Sequence, residues 1–229
     1  AQPGPDGVVP VTNMMEPYLF LVRDPYVHEL LDLTKKQRVD LQSLNDKADP
    51  KIWMIRNRSA EEAANVNGKL IAITRREIKK VLDDQQLERL FQIEMWTQGV
   101  RSLLRDDVIT SLRISKSQAT EIQGIIAASE VQKADLRKKL QSGGDHAKLN
   151  QQYKDVQIGE QEQILKILTQ PQQQQWVAML GPRVELNKLG RVKFKAPEFP
   201  KSASWINSPE LTLDKLKGKV VALHFYAFA

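Results

Sequence analysis

The side chains that most often carry out chemistry are few in this sequence, and their spacing does not suit a reaction. The histidines His28, His146 and His224 lie far apart and form no His-x-x-x-His or Glu-x-x-His pattern, so they predict no metal site. Asp106 and Asp107 are adjacent, and adjacent side chains on a helix point about 100° apart, which does not make an acid/base pair. The chain has no cysteine and therefore no thiol of its own. We predict no catalytic, cofactor-binding or metal-binding residue within it.

The most specific polar pattern is a pentad that occurs four times: an apolar residue, then Thr, Ser or Asp, then Gln three positions later. This is the pattern of a capping box, in which the short side chain accepts from the N–H of the third helical residue and the Gln side chain accepts from the N–H of the cap. The four pairs are Thr34 with Gln37, Asp83 with Gln86, Ser115 with Gln118, and Thr169 with Gln172. They predict four helix starts, and Ser59 with Glu62 predicts a fifth.

The pentads come in two pairs because the chain contains two copies of one unit. The segment from Arg23 aligns with the segment from Leu104, so that Val27 falls on Val108 and Leu31 on Leu112. The repeats span about 22–98 and 103–180. Apolar residues at helical spacing follow the pentads, among them Val39, Leu41 and Leu44, and Ile122, Ile125, Ile126 and Leu136. We predict a mainly α protein, a duplicated helical-hairpin bundle in which a short helix at 25–31 or 103–112 leads into each hairpin.

The charge pattern and the N-terminal residues indicate which partners and which compartment to expect. Lys and Arg exceed Asp and Glu, for a net charge of +6, but the two signs are interleaved on the helices, which indicates a solvated face and no nucleic-acid partner. No apolar run reaches the roughly 18 residues of a membrane span. Residues 1–21 open on "AQPGPDGVVP", which is typical of a flexible leader downstream of a signal-peptidase cut. We expect export to the periplasm or cell envelope.

Over residues 22–180 the pentads resemble the LTxxQ motif of the Spy/CpxP class of bacterial envelope stress proteins. The resemblance implies helical hairpins that dimerise into a curved cradle, and partners that are unfolded clients or a sensor protein; a homodimer would follow. The members of that class are shorter and typically have one unit, and Asp83 stands where the motif has Thr. The alternative is that the repeated capping boxes only begin the helices of a duplicated scaffold.

After Leu180 the character of the sequence changes. Gly181 and Pro182 end the last helix, residues 181–195 form a predicted linker, and residues 196–229 begin a different fold. Val220 to Phe228 is apolar at nearly every position, as in a central strand that is covered on both faces. The alternative is a complete β-extension that packs on the bundle.

This last segment resembles the opening of a redoxin or TlpA-like thiol-disulfide oxidoreductase, the exported branch of the thioredoxin fold. The matching features are a Pro-x-Phe entry at Pro197, the turn Leu-x-x-Leu-Lys-Gly-Lys from Leu213, and a strand that ends on Phe225, Tyr226, Ala227, Phe228 and Ala229. The resemblance implies an incomplete α/β domain, truncated just before a Cys-x-x-Cys pair. The parent would be an exported oxidoreductase acting on a protein disulfide, with the helical domain as its scaffold or docking module. A Spy/CpxP-like chaperone or stress-sensor binding protein is the alternative.

Overall fold

A computed structural model of the chain describes residues 17–55, 59–190, 198–199 and 204–222. Within these ranges the protein is built from α-helices and short 3-10 helices, and no strand is present. None of the helices in the described ranges is both long and apolar enough to cross a membrane. The prediction of a mainly α-helical protein is therefore confirmed.

Residues 17–98, called unit 1 here, contain five α-helices. They are α1 (Pro17–Leu21), α2 (Pro25–Leu30), α3 (Lys35–Ile55), α4 (Ala60–Ile78) and α5 (Asp84–Gln98). The long helices α3 and α4 form a hairpin, and the short helix α2 leads into it. Asp24 caps α2 by accepting from the backbone N–H of Tyr26 at 2.9 Å.

Residues 99–180, called unit 2, repeat this order. They contain a 3-10 helix (Gly99–Leu104) and then α6 (Asp106–Leu112), α7 (Lys116–Gln141), α8 (His146–Ile167) and α9 (Gln170–Leu180). The turn Gly143-Gly144-Asp145 joins α7 to α8, and the Asp145 side chain caps α8 by accepting from the N–H groups of Ala147 and Lys148. The helices α7 and α8 form the second hairpin, and they contact each other along more of their described length than α3 and α4 do.

The backbone repeats at the end of the short helix of each unit. Asp32 (φ 47°) and Arg113 (φ 51°) both adopt the left-handed conformation that non-glycine residues rarely take. The residue after each of them donates its N–H to the carbonyl five positions back, at 3.1 Å in unit 1 and 3.0 Å in unit 2. This is the Schellman motif, which satisfies the free carbonyls of a helix end. The same turn at matched positions is independent evidence that the units are copies.

Each unit has its own apolar core, and α5 joins the two. The core of unit 1 includes Val27, Leu41 and Ile93, and the core of unit 2 includes Val108 and Ile164, all of them almost completely buried. Trp96 on α5 packs against both cores. Its indole Nε1 donates to Leu180 O at the end of α9, at 2.9 Å. The contact between α5 and α9 therefore connects the units through apolar burial and a hydrogen bond.

The first part of the predicted linker packs against unit 1. Gly181 ends α9 with φ 60° and ψ −156°, a backbone conformation that favours glycine, and a Cβ at this position would also require the end of the Gln92 side chain to move. Val184 is buried in the core of unit 1. The N–H of Gly190 then donates to Asp24 Oδ2 at 2.6 Å. We call residues 181–190 the strap, because they run from the end of unit 2 back onto unit 1.

The described part of the last segment forms contacts between its own residues, and most of its side chains are exposed. Glu198 accepts from the N–H of Leu213 at 3.0 Å, just before a 3-10 helix (Asp214–Leu216), and the rings of Phe199 and Trp205 meet edge to face with centroids 5.3 Å apart. Residues 220–222 of the predicted strand do not form a strand, and Val220 is fully exposed. The rest of that prediction, including Phe225, Tyr226, Ala227, Phe228 and Ala229, lies outside the described residues.

Candidate functional site

All the predicted motif residues lie at helix starts and form capping boxes. In the last one, Thr169 N donates to Gln172 Oε1 at 3.0 Å, and Gln172 N donates to Thr169 Oγ1 at 3.4 Å. The same reciprocal pattern joins the other three pairs: Thr34 with Gln37, Asp83 with Gln86, and Ser115 with Gln118. Ser59 and Glu62 form the fifth box at the start of α4. The Asp at position 83 performs the capping role of the Thr in the motif.

The glutamines of unit 1 also bind each other across the fold. Gln37 Nε2 donates to Gln86 Oε1 at 2.7 Å and to Val81 O at 2.9 Å. Gln86 Nε2 donates back to Gln37 Oε1 at 3.3 Å and to Leu31 O at 3.1 Å. The amide pair thus ties the start of α3 to the end of α4, and the start of α5 to the end of α2, and it satisfies carbonyls that helix ends leave free.

Unit 2 has the same arrangement. Gln118 Nε2 donates to Gln172 Oε1 at 2.9 Å and to Ile167 O at 3.0 Å. Gln172 Nε2 donates to Gln118 Oε1 at 3.3 Å and to Leu112 O at 3.2 Å. All four glutamines are half-buried. The motif therefore has two structural roles in this protein, to begin a helix and to hydrogen-bond its partner motif.

Reasoning from sequence missed the amide pairs, although one signal was present. A capping box accepts either Glu or Gln at its third helical position, because only an acceptor is needed there. An ionised Glu has no hydrogen to donate, whereas Gln can accept with one atom and donate with the other. The boxes that pair across the fold all use Gln, whereas the box of Ser59 uses Glu62.

A buried charge cluster lies between α7 and α8 in unit 2. Glu160, 5% exposed, accepts from Lys133 Nζ at 2.6 Å, from Arg101 Nε at 2.9 Å and from the Ser129 hydroxyl. Burial acts to raise the pKa of Glu160, but the hydrogen bonds from Arg101, Lys133 and Ser129 outweigh it and lower that pKa to about 2. Glu130 pairs with Arg101 at 2.5 Å and lies 3.6 Å from Lys133, so two carboxylates balance the two cations, which indicates a structural ion-pair network.

A second cluster lies at the junction of the units. Glu94, 3% exposed, pairs with Arg75 at 2.6 Å and with Arg105 at 2.8 Å. The guanidinium of Arg75 lies 3.8 Å from the centre of the Tyr18 ring, a cation–π contact. Burial is the main reason that the pKa of Tyr18 rises to about 12. Because α1, α4, α5 and the start of α6 each contribute a side chain, this cluster fixes the junction.

A groove between α3 and α4 is a candidate binding surface among the described residues. It has a volume of about 510 Å³, within the range of about 300 to 1,000 Å³ that is usual for ligand sites. Its lining mixes apolar and charged side chains: Leu44, Ala48, Leu70, Ile73, Thr74 and Val81, together with Asp40, Ser43, Lys47, Lys51, Glu77 and Lys80. Such a mixed surface suits contacts with both apolar and charged groups of a partner.

The histidines and acidic residues form no metal site in the described part of the chain. His28 Nε2 lies 2.9 Å from Val22 O, His146 is exposed at the start of α8, and His224 lies outside the described residues. No group of three or more His, Asp or Glu side chains in the described ranges is placed to hold a metal ion.

In comparisons with known proteins, no family model, no curated protein and no solved structure matches the chain.

Proposed function

We propose that the two helical units are the scaffold and partner-docking module of an exported bacterial thiol-disulfide oxidoreductase of the redoxin or TlpA-like class. The observation that carries the scaffold role is the strap. It returns from the end of unit 2 to unit 1, buries Val184 and ends with Gly190 bonded to Asp24, itself 2% exposed. The segment that follows therefore leaves from a fixed point beside α2, as a redox segment held by a scaffold would.

The redox assignment is supported by the redoxin-like order of residues 196–229. Gly218 has φ 80° in the Leu-Lys-Gly-Lys turn, a conformation that favours glycine. Because the chain has no cysteine, the proposal assigns thiol exchange to a Cys-x-x-Cys pair that follows Ala229 in the parent. There the first cysteine would lie at a helix N-terminus, where the helix dipole lowers its pKa. Its thiolate would attack a protein disulfide, form a mixed disulfide and release one substrate thiol; the second cysteine would then attack the mixed disulfide, release the other substrate thiol and leave the pair oxidised.

The reading frame beyond Ala229 and an insulin-reduction assay test this function. We expect a Cys-x-x-Cys pair directly after Ala229, reduction of insulin disulfides by the parent protein, and no turnover by the 229-residue chain. A frame that stops there, or continues without a cysteine pair, contradicts the oxidoreductase assignment. It leaves the helical scaffold unaffected.

A Spy/CpxP-like chaperone is the second candidate, and the groove between α3 and α4 favours it. An open surface with apolar and charged side chains suits a segment of an unfolded protein. The test is aggregation of α-lactalbumin after reduction by dithiothreitol, followed by light scattering with and without the chain. Suppression near a one-to-one ratio supports the chaperone, whereas unchanged scattering leaves the scaffold function preferred.

A further inference from the structure

We infer that the groove between α3 and α4 docks an acidic, amphipathic peptide segment of another protein. This inference rests on the proposed docking function and specifies its surface and the chemistry of its partner. The groove is open to solvent, so a chain segment can lie along it. Leu44, which is half-buried, and Ile73, which is 39% exposed, supply apolar contacts for the side chains of such a segment.

The charges that line the groove determine which charge a partner should carry. Its two acidic side chains are already paired: Asp40 with Lys36 at 2.8 Å, and Glu77 with Lys80 at 2.6 Å. Lys47 and Lys51 are exposed, and among the described residues neither pairs with a carboxylate. They lie four positions apart and therefore on the same face of α3. The uncompensated charge of the groove is thus positive, and acidic side chains complement it.

Unit 2 lacks this pair of lysines. By the alignment of the repeats, Ala128 and Gln132 stand where unit 1 has Lys47 and Lys51. The basic groove is therefore a feature of unit 1 and is not required by the fold that the two units share. This difference points to a role other than stability.

A second copy of this chain is a poorer occupant. Each chain carries a net charge of +6, so association of two copies is opposed by repulsion. In a two-fold contact across the groove, the lysines of one copy would also meet those of the other. An acidic segment of a different protein avoids both costs.

The experiment measures binding of a fluorescein-labelled peptide of Leu-Glu-Glu-Leu repeats to the 229-residue chain by fluorescence anisotropy. The test variant is K47E/K51E. The matched control is K148E/K154E, which makes the same change of net charge at exposed positions of α8. We expect the test variant to bind roughly tenfold more weakly and the control to stay within about twofold of the wild type, because only the first changes the groove. Circular dichroism melts of both variants verify that they fold.

Three outcomes overturn the inference. They are no binding of the acidic peptide by the wild type, equal weakening by both variants, and equal binding of a peptide in which each Glu is Lys. Equal weakening by both variants would mean that the overall charge of the chain, and not the groove, determines peptide binding. The insulin and α-lactalbumin tests do not use these variants or this peptide. The groove inference can therefore fail while the proposed function stands, and the proposed function can fail on its own tests.

Discussion

The two helical hairpins share the hydrogen bonds at their ends but differ in the residues at their centres. At the ends, an amide pair between two capping glutamines ties the hairpin to its neighbouring helices in both units. In the middle, the aligned positions of the two units carry different chemistry. Unit 1 has Ala48 and Ile52 where unit 2 has Ser129 and Lys133. When the second pentads are matched, with Asp83 on Thr169, Thr74 of unit 1 aligns with Glu160 of unit 2.

This comparison separates what the repeated fold requires from what each copy has changed. The capping boxes, the amide pairs and the left-handed turn before each first pentad are present twice, so they belong to the shared frame. The centre of unit 2 is closed by buried charges. Unit 1 has its own buried ion pair, between Arg23 and Asp49, but its positions aligned with Lys133 and Glu160 carry no charge. The groove with the unpaired lysines lies in unit 1, so we expect binding to depend on unit 1, whereas buried ion pairs stabilise both units.

The largest effect should come from removing the carboxylate at the centre of unit 2. Glu160→Met leaves the ammonium of Lys133, 4% exposed, without its main partner. Breaking a buried ion pair in this way costs about 3 to 5 kcal/mol, so we expect a loss of that size in the free energy of unfolding. Urea unfolding followed by circular dichroism measures it.

Two further proteins sharpen this result. Thr74→Val changes the aligned position of unit 1 and should cost no more than about 1 kcal/mol, because no charge loses its partner. The triple variant S129A/K133I/E160T gives unit 2 the residues of unit 1. It should recover most of the stability that Glu160→Met loses, because apolar replacement of a whole buried ion pair is often neutral. If the triple variant is as unstable as the single one, the centres of the two units are not interchangeable.

A smaller loss is expected at the shared ends. Gln37→Glu keeps the acceptor of the capping box but replaces the donating amide with a carboxylate that faces Val81 O and Gln86 Oε1. Leaving partly buried acceptors without a donor should lower the free energy of unfolding by about 1 to 3 kcal/mol. Gln118→Glu should have an equal effect in unit 2, and urea unfolding of both variants tests this.

The control for both variants is Glu62→Gln, which keeps an acceptor in the exposed capping box of Ser59. It should change the free energy of unfolding by less than about 0.5 kcal/mol, because the cap needs only an acceptor. A loss at Glu62 as large as at Gln37 would mean that the cap alone, and not the amide pair, is responsible.

The helix starts could be predicted because capping is local. Thr34 and Gln37 are three positions apart, and their bonds depend only on the chain between them. The amide pairs join residues separated by 49 positions in unit 1 and by 54 in unit 2, so they depend on how the helices pack. A single sequence shows the residue type that makes such a pair possible, but not which two glutamines meet.

The errors have a similar cause. The interleaved charges predicted a solvated face, but Lys133 and Glu160 are buried, because each compensates the charge of the other within the packed hairpin. Val39 was grouped with Leu41 on the apolar side of α3, yet it is 67% exposed. Residues two positions apart lie on nearly opposite sides of a helix, so burial of Leu41 directs Val39 outward.

Low pH should destabilise the wild type more than the triple variant, which lacks the Glu160 carboxylate. Because the folded-state pKa of Glu160 is lowered to about 2, its stabilising contribution is complete above its ordinary pKa of 4.5 and is lost as the pH falls from there towards 2. We therefore expect the wild type to lose more stability over this pH range than S129A/K133I/E160T does. Urea midpoints at several pH values measure the difference. The pKa of Asp107 is also lowered, mainly by the hydrogen bond from Arg105, but this pair is present in both proteins.

The smallest effects test whether the shared frame is equally strained in both copies. Asp32→Gly and Arg113→Gly each relieve a left-handed residue, which gains about 1 to 2 kcal/mol. The greater freedom of glycine in the unfolded chain offsets about 0.4 to 1 kcal/mol of that gain. Both positions are exposed, so each variant should be more stable by about 0.5 kcal/mol, and by the same amount in thermal melts. Gln123→Gly, on the exposed face of α7, should instead cost about 1 kcal/mol. Opposite signs at Asp32 and Arg113 would show that the two turns, although alike in backbone, are held by different surroundings.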